Sequence, residues 1–402
     1  MEYTRCKLND ILNDIHSGGT PSTEEDSYWG GNIKWLSSGE TGQRFISDTI
    51  DKITEDGVKN SSTKLAKKYN IVMACAGQGK TRGQTSFLLD DMYLNQSVIA
   101  LEPKEFVLPL YLFYDLSSRY DELRGGSDAS STRGSITTTA LKSLPFKYPS
   151  LSVQQSIVNI LYKYDSLIEN NKKRIKLLEQ MAENLYKEWF VRFRFPGYED
   201  AEFENGLPKG WERQTISSYY TTCSGGTPSR THEEYYENGI YPWVKTGEIK
   251  DCIVINTEEY ITEDAVRKSS AKLLPAKSVA MAMYGVNIGQ LGYFDVQMTC
   301  NQACCVFVDK RDFSSKHYLF QYLKSIRDYL LSISFGAAQQ NLSQELIKSI
   351  KIVMPSDDVI EKFEEKVDKI YDSIKNLMYQ NQNLIKQRDM LLPRLMSGKL
   401  EV

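Results

Sequence analysis

The spacing closest to a reactive site is Ala74 followed by Gly79-Lys80-Thr81, which satisfies a loose phosphate-loop pattern. Such a loop holds phosphate through backbone amides of a helix that starts at the lysine. Gly83 and a β-prone stretch follow instead. A second loop, Gly285-Val286-Asn287-Ile288-Gly289-Gln290, keeps the glycines and lacks the Lys-Thr pair. A shared structural loop accounts for both copies, whereas nucleotide hydrolysis accounts for one. The seven cysteines (Cys6, Cys75, Cys223, Cys252, Cys300, Cys304, Cys305) form no CxxC pair. His16, His232 and His317 stand in no metal-ligand spacing to cysteine or acidic residues. Glycine-rich methyl-donor loops, Asn/Asp-Pro-Pro-aromatic motifs and nuclease metal clusters are missing from the sequence. No catalytic, cofactor-binding or metal residue is therefore expected in this chain.

A length of 402 residues suits two or three domains. With 25% charged and 41% hydrophobic residues, composition argues for globular structure rather than disorder. No apolar run approaches a membrane span, and the opening MEYTRCKLND has no leader pattern. Cysteines without a disulfide framework fit a reducing cytoplasm. Net charge is −3; residues 1–150 carry −2 and residues 211–355 are neutral. Contact with a polyanion would then need local clustering of positive charge, or partners that supply it.

The elements that must position these loops come in duplicate. Ser17-Gly18-Gly19-Thr20-Pro21-Ser22 returns as Ser224-Gly225-Gly226-Thr227-Pro228-Ser229. Trp35, Gly39 and Glu40 recur as Trp243, Gly247 and Glu248, and Ile53-Thr54-Glu55-Asp56 as Ile261-Thr262-Glu263-Asp264. Ser61-Ser62, Met73-Ala74 and Asn95-Gln96 are answered by Ser269-Ser270, Met281-Ala282 and Asn301-Gln302. One offset near 207 residues holds throughout, so the chain is a tandem repeat. Strand-like runs (70–74, 304–308) and a short helix (317–325) make each copy mixed α/β. The Ser-Gly-Gly-Thr-Pro-Ser segments read as structural turns or as contacts.

Each copy ends in a long helical pattern, after Pro149 with a capping box at Ser152 and Gln155, and after Pro355 with one at Asp358 and Glu361. Apolar residues step by three and four through Leu161, Tyr164, Ile168, Ile175, Leu178, Ala182, Leu185 and Trp189. The second helix repeats this at Val367, Ile370, Ile374, Leu377, Leu384, Leu391 and Leu395. That period belongs to a coiled-coil seam, and about 40 residues would make each helix about 60 Å long. Asn171 and Asn381 interrupt the seams. An antiparallel register sets them opposite each other, with Ile168 facing Leu384, Leu178 facing Ile374 and Leu185 facing Val367. A buried Asn facing Leu would leave its amide unpaired, at about 1–3 kcal/mol; the alternative is that each Asn points to solvent. The expected fold is α+β: two pseudo-repeated mixed α/β domains separated by an antiparallel two-helix coiled coil. The domains span 1–150 and 211–355, the helices 151–194 and 356–402, and a Pro/Gly/acidic linker 195–210.

Taken in order, the motifs resemble the specificity subunits of type I restriction-modification enzymes. The resemblance rests on the doubled Ser-Gly-Gly-Thr-Pro-Ser, each followed by aromatics (Tyr28-Trp29; Tyr235-Tyr236), and on the glycine loop followed by Asn-Gln. It continues through LKSLPFKYPSLSVQQSIVNILYKYD from Leu141, LYKEWFVRFRF from Leu185, LPKGW from Leu207 and the tail Leu391 to Leu400. It covers essentially the whole chain; the second helix departs by carrying Asp357-Asp358-Val359-Ile360-Glu361 where Gln is usual. The resemblance implies two target-recognition domains, each reading half of a split, asymmetric site in double-stranded DNA. The helix pair would set the spacer, with a reach near one duplex turn, roughly 34 Å. Two methyltransferase subunits and restriction (motor-nuclease) subunits would dock on the chain. S-adenosylmethionine, ATP and Mg²⁺ would bind to those partners and not here.

Base edges call for Gln, Asn, Arg or Lys. The loop residues Lys80, Arg82, Gln84, Asn287 and Gln290 are the candidate readers, with Arg133, Gln339, Gln340 and Asn341 before the helices. Each is otherwise a solvated loop residue. Two other classes fit the composition: a protein-interaction scaffold, and a stand-alone DNA-modifying enzyme with an unfamiliar site.

Overall fold

The computed structural model describes residues 2–77, 79–128, 134–334 and 341–402. They form two compact units, Met1–Glu169 with Asn381–Val402, and Asn170–Gln380. The two long helices, Leu151–Tyr186 and Asp357–Ser397, each change unit partway along. Helices taken as separate blocks therefore do not match the compact units, because each half-helix joins the core of one α/β domain.

In the first unit a five-stranded sheet runs in the order Leu12–Ser17, Val98–Pro103, Ile71–Ala74, Thr85–Leu88, Phe45–Ile46. Only the last pair is parallel. A smaller sheet orders Lys52–Ile53, Trp29–Leu36, Met92–Leu94 and Lys64–Ala66. The second unit repeats this plan. Its five strands are Tyr220–Ser224, Cys304–Asp309, Ser278–Ala282, Leu291–Phe294 and Cys252–Val254, again with only the last pair parallel. The central strands Ile71–Ala74 and Ser278–Ala282 are buried at every position, so they read as apolar runs rather than alternations. The helices Pro109–Ser118 and Lys316–Ser325 hold matching places in the two copies. Each domain also closes its beginning onto its end: Thr4–Lys7 pairs with Pro145–Tyr148, and Glu212–Thr215 with Lys351–Met354.

The doubled Ser-Gly-Gly-Thr-Pro segments are structural. Gly19 N–H donates to the Leu94 carbonyl and Gly226 N–H to the Cys300 carbonyl, both at 2.9 Å. Trp35 and Trp243 indoles donate to the Gly19 and Gly226 carbonyls, at 3.2 and 3.0 Å. Thr20 and Thr227 hydroxyls reach Gln96 and Gln302, at 2.5 and 2.6 Å. A Cβ on Gly18 or Gly225 would lie 1.8 Å from a backbone oxygen, so no side chain fits either position.

The seam residues of both helices are buried or half-buried. In the first unit Asp165 meets Arg388; in the second Asn171 meets Gln380 and Trp189 meets Phe363. Partners descend on one helix as they rise on the other, so the pairing is antiparallel. Trp189 and Phe363 continue the register that sets Leu185 opposite Val367. Asn171 and Asn381 are 5% and 8% exposed, and Asn171 Nδ2 donates to Gln380 Oε1 at 3.5 Å. The expected capping boxes do not form, because both helices start earlier: Ser152 and Asp358 lie within the first turn. Gln155 donates to Asn159 instead, while buried Gln154 accepts from Leu108 N–H at 2.9 Å and donates to the Pro149 carbonyl. The stretch 195–210 is anchored rather than loose. Phe195 is buried 5.2 Å from Trp211, and Phe203–Glu204 pairs with Leu207–Pro208. No helix among the described residues is long and apolar enough to cross a membrane.

Candidate nucleic-acid interface

The glycine loops are hairpins at the same place in each five-stranded sheet. Ala74 N–H donates to the Gln84 carbonyl and Gly83 N–H back to the Ala74 carbonyl; Ala282, Gln290 and Gly289 repeat this pattern. Gly83 and Gly289 have φ of +86° and +77°, the left-handed region that glycine enters without a Cβ penalty. The chain leaves the first loop as the strand Thr85–Leu88, so Lys80 does not open a helix and the phosphate-loop geometry is absent. The segment preceding each long helix docks beside its hairpin: Ile136 N–H donates to the Cys75 carbonyl and Leu342 N–H to the Met283 carbonyl.

These bonds bring most described candidates to one end of each domain. Lys80 is exposed, and its carbonyl accepts from the Tyr120 hydroxyl at 2.8 Å. Arg82 is only 8% exposed and donates to the Gly134 carbonyl, so it anchors the loop rather than presenting its guanidinium to a base. Gln84 is half-buried. Asn287 gives its amide to the Thr246 carbonyl at 2.8 Å, which commits that donor within the domain. Gln290 is half-buried, with Oε1 enclosed. Asn341 is exposed and borders a cleft of about 600 Å³ with Ser224, Lys272, Tyr284 and Gln344. Arg133, Gln339 and Gln340 lie outside the described residues.

The sequence reading missed the clamps behind the hairpins. Tyr120 holds the first. Arg327 holds the second, donating to the Gly289 carbonyl at 2.9 Å and pairing with Asp251 at 2.8 and 2.5 Å. Their common offset of 207 residues was the available signal. Also missed were Tyr284 and Val286 at the second tip, 36% and 100% exposed.

Two buried polar clusters fix the domains to helix halves. In the first unit, Asp165 (2% exposed) accepts from Arg388 at 2.6 Å and Tyr114 at 2.8 Å, and pairs with Arg44 at 3.2 Å. In the second, Glu364 accepts the backbone N–H groups of His317 and Tyr318, both at 2.9 Å. Lys316 reaches Glu364 at 3.4 Å and Asp368 at 2.6 Å. His317, Glu364 and Asp368 lie close enough to suggest a metal. The Lys316 ammonium already holds the cation's position between the two carboxylates, so the group is an ion-pair network. Burial pushes the His317 imidazole down to about 4 and the Glu364 carboxyl up to about 7; Lys316 and the amide of Tyr318 oppose the latter shift.

Two copies of one α/β fold, each presenting a clamped hairpin and joined by antiparallel helices, define a duplicated recognition scaffold. A family model, the type I restriction modification DNA specificity domain, matches residues 2–180 and again 208–387. The chain belongs to that family, whose specificity subunits are non-catalytic. It is 30% identical to the type I restriction enzyme MjaIX specificity subunit of Methanocaldococcus jannaschii, over 98% of this chain and 93% of that one. It is 24% identical to the HindI specificity subunit of Haemophilus influenzae, over 92% and 94%. Among solved structures, the type I restriction-modification S subunit of M. genitalium shares the fold, with a TM-score of 0.58 at 16% identity over 98% and 96% of the chains.

Proposed function

We propose that this chain reads a bipartite, asymmetric site in double-stranded DNA, one half with each recognition domain, in the cytoplasm. Two methyltransferase subunits dock on it and bind S-adenosylmethionine; restriction subunits join them and bind ATP and Mg²⁺. The observation that carries this reading is one hairpin built twice with different chemistry at its tip, Lys80 in the first copy and Tyr284 with Val286 in the second. Equal scaffolds with unequal tips suit unequal half-sites. The near-neutral charge of both domains fits a chain that relies on partners for much of its hold on phosphate.

The test is selection from a random duplex pool by the chain assembled with its methyltransferase partner, with the methylated adenines then mapped. Two different half-sites around a fixed unread spacer are expected, with retention that weakens as salt rises. A single contiguous site, or retention indifferent to sequence, would refute the proposal.

A further inference from the structure

The tip of the second hairpin presents an apolar group on a braced support. Val286 is fully exposed, next to Gly285 with φ +87°. On the far side of the tip, Ile288 N–H donates to the Gly285 carbonyl at 3.2 Å and Gln290 N–H to the Asn287 carbonyl at 2.9 Å. Asn287 is turned to the Thr246 carbonyl, and Arg327 holds Gly289 from behind. The amide groups of Asn287 and Gln290 are thus taken up within the domain, while the isopropyl group faces outward beside the exposed Tyr284 ring. In the major groove, the base edges offer one protruding apolar group, the 5-methyl group of thymine, among hydrogen-bond donors, acceptors and flat C–H edges.

We infer that Val286 meets the methyl group of a thymine in the half-site read by the second domain, an inference that rests on the bipartite reading above. In the first domain the matching hairpin carries exposed Lys80, whose ammonium suits guanine O6 and N7 rather than a methyl group. The same support therefore serves two different bases.

The test uses the chain assembled with its methyltransferase partner and the duplex site found by adenine mapping. Each thymine is replaced in turn by deoxyuridine, which removes only the methyl group. Binding is measured for the unmodified chain and for Val286→Ala, whose melting temperature should be unchanged because Val286 packs against nothing. One thymine is expected at which deoxyuridine weakens binding about fourfold. Val286→Ala should weaken binding to the thymine duplex similarly, and at that position it should no longer distinguish thymine from deoxyuridine. Equal deoxyuridine effects in both proteins at every position, or a half-site without thymine, overturn the inference. If the assembly shows no bipartite preference at all, the underlying reading fails; a bipartite preference with no coupled thymine defeats this step alone.

Discussion

Asp165 accepts from Arg388 on the second long helix and from Tyr114 on the domain, with Arg44 alongside. Removing that carboxylate leaves Arg388 only the more exposed Asp389 as counter-charge, at 2.8 Å, so the cost falls at or below the roughly 3–5 kcal/mol typical of a broken buried pair. Asp165→Ala is therefore expected to lower the stability of the first unit by that order in denaturant unfolding. A loss below about 1 kcal/mol would show that the cluster is incidental. At this scale the sequence was only partly legible. Asn171 and Asn381 stood out because they break an apolar rhythm, and both are buried. Arg388 also holds a seam step, between Leu384 and Leu391, and its partner Asp165 lies beside Tyr164; the pattern marks neither, because a charge in a helix suggests solvent. Arg82 and Asn287 were of the right type for base contact, yet their hydrogen bonds turn inward. Side-chain type does not fix direction, and direction decides this.

Among the elements, the turn at Ser-Gly-Gly-Thr-Pro joins the two sheets of each domain through hydrogen bonds to Leu94 or Cys300. Gly18→Ala and Gly225→Ala each drive a methyl group into a backbone oxygen. Both are expected to cost about 1–3 kcal/mol or more through forced backbone movement, read as a fall in melting temperature. Similar losses at the two positions would follow from their equivalent surroundings; a neutral substitution at either would contradict the packing described. The two strand runs at 70–74 and 304–308, the short helix and the antiparallel helix pair were legible, since periodicity and repetition report directly on burial. Helix starts were less so: the buried glutamine is Gln154, one position before Gln155, and it ties the helix start to Leu108 and Pro149 instead of closing a capping box. The clamps Tyr120 and Arg327 were hidden because the repeat keeps their position and changes their chemistry.

For the whole molecule, duplication was the most legible property, and the partition into compact units the least. Cores are set by what each helix half packs against, which no local pattern records. If the helix pair sets the gap between half-sites, three heptads inserted after Asn170 and three after Gln380 keep the pairings on either side, Asn171 with Gln380 included, and add about 32 Å. That is close to one duplex turn of about 34 Å. Adenine mapping should then give unchanged half-sites with about nine more unread base pairs between them. Insertion in one helix alone should abolish methylation, since it shifts the register of all later partners. The ribbons Thr4–Lys7 with Pro145–Tyr148 and Glu212–Thr215 with Lys351–Met354 bring each domain's two ends side by side. Genetic crossovers at those two borders can transplant one domain as a cassette while leaving its companion and the rods intact. Recombination would thus change half of an address at a time, in one step.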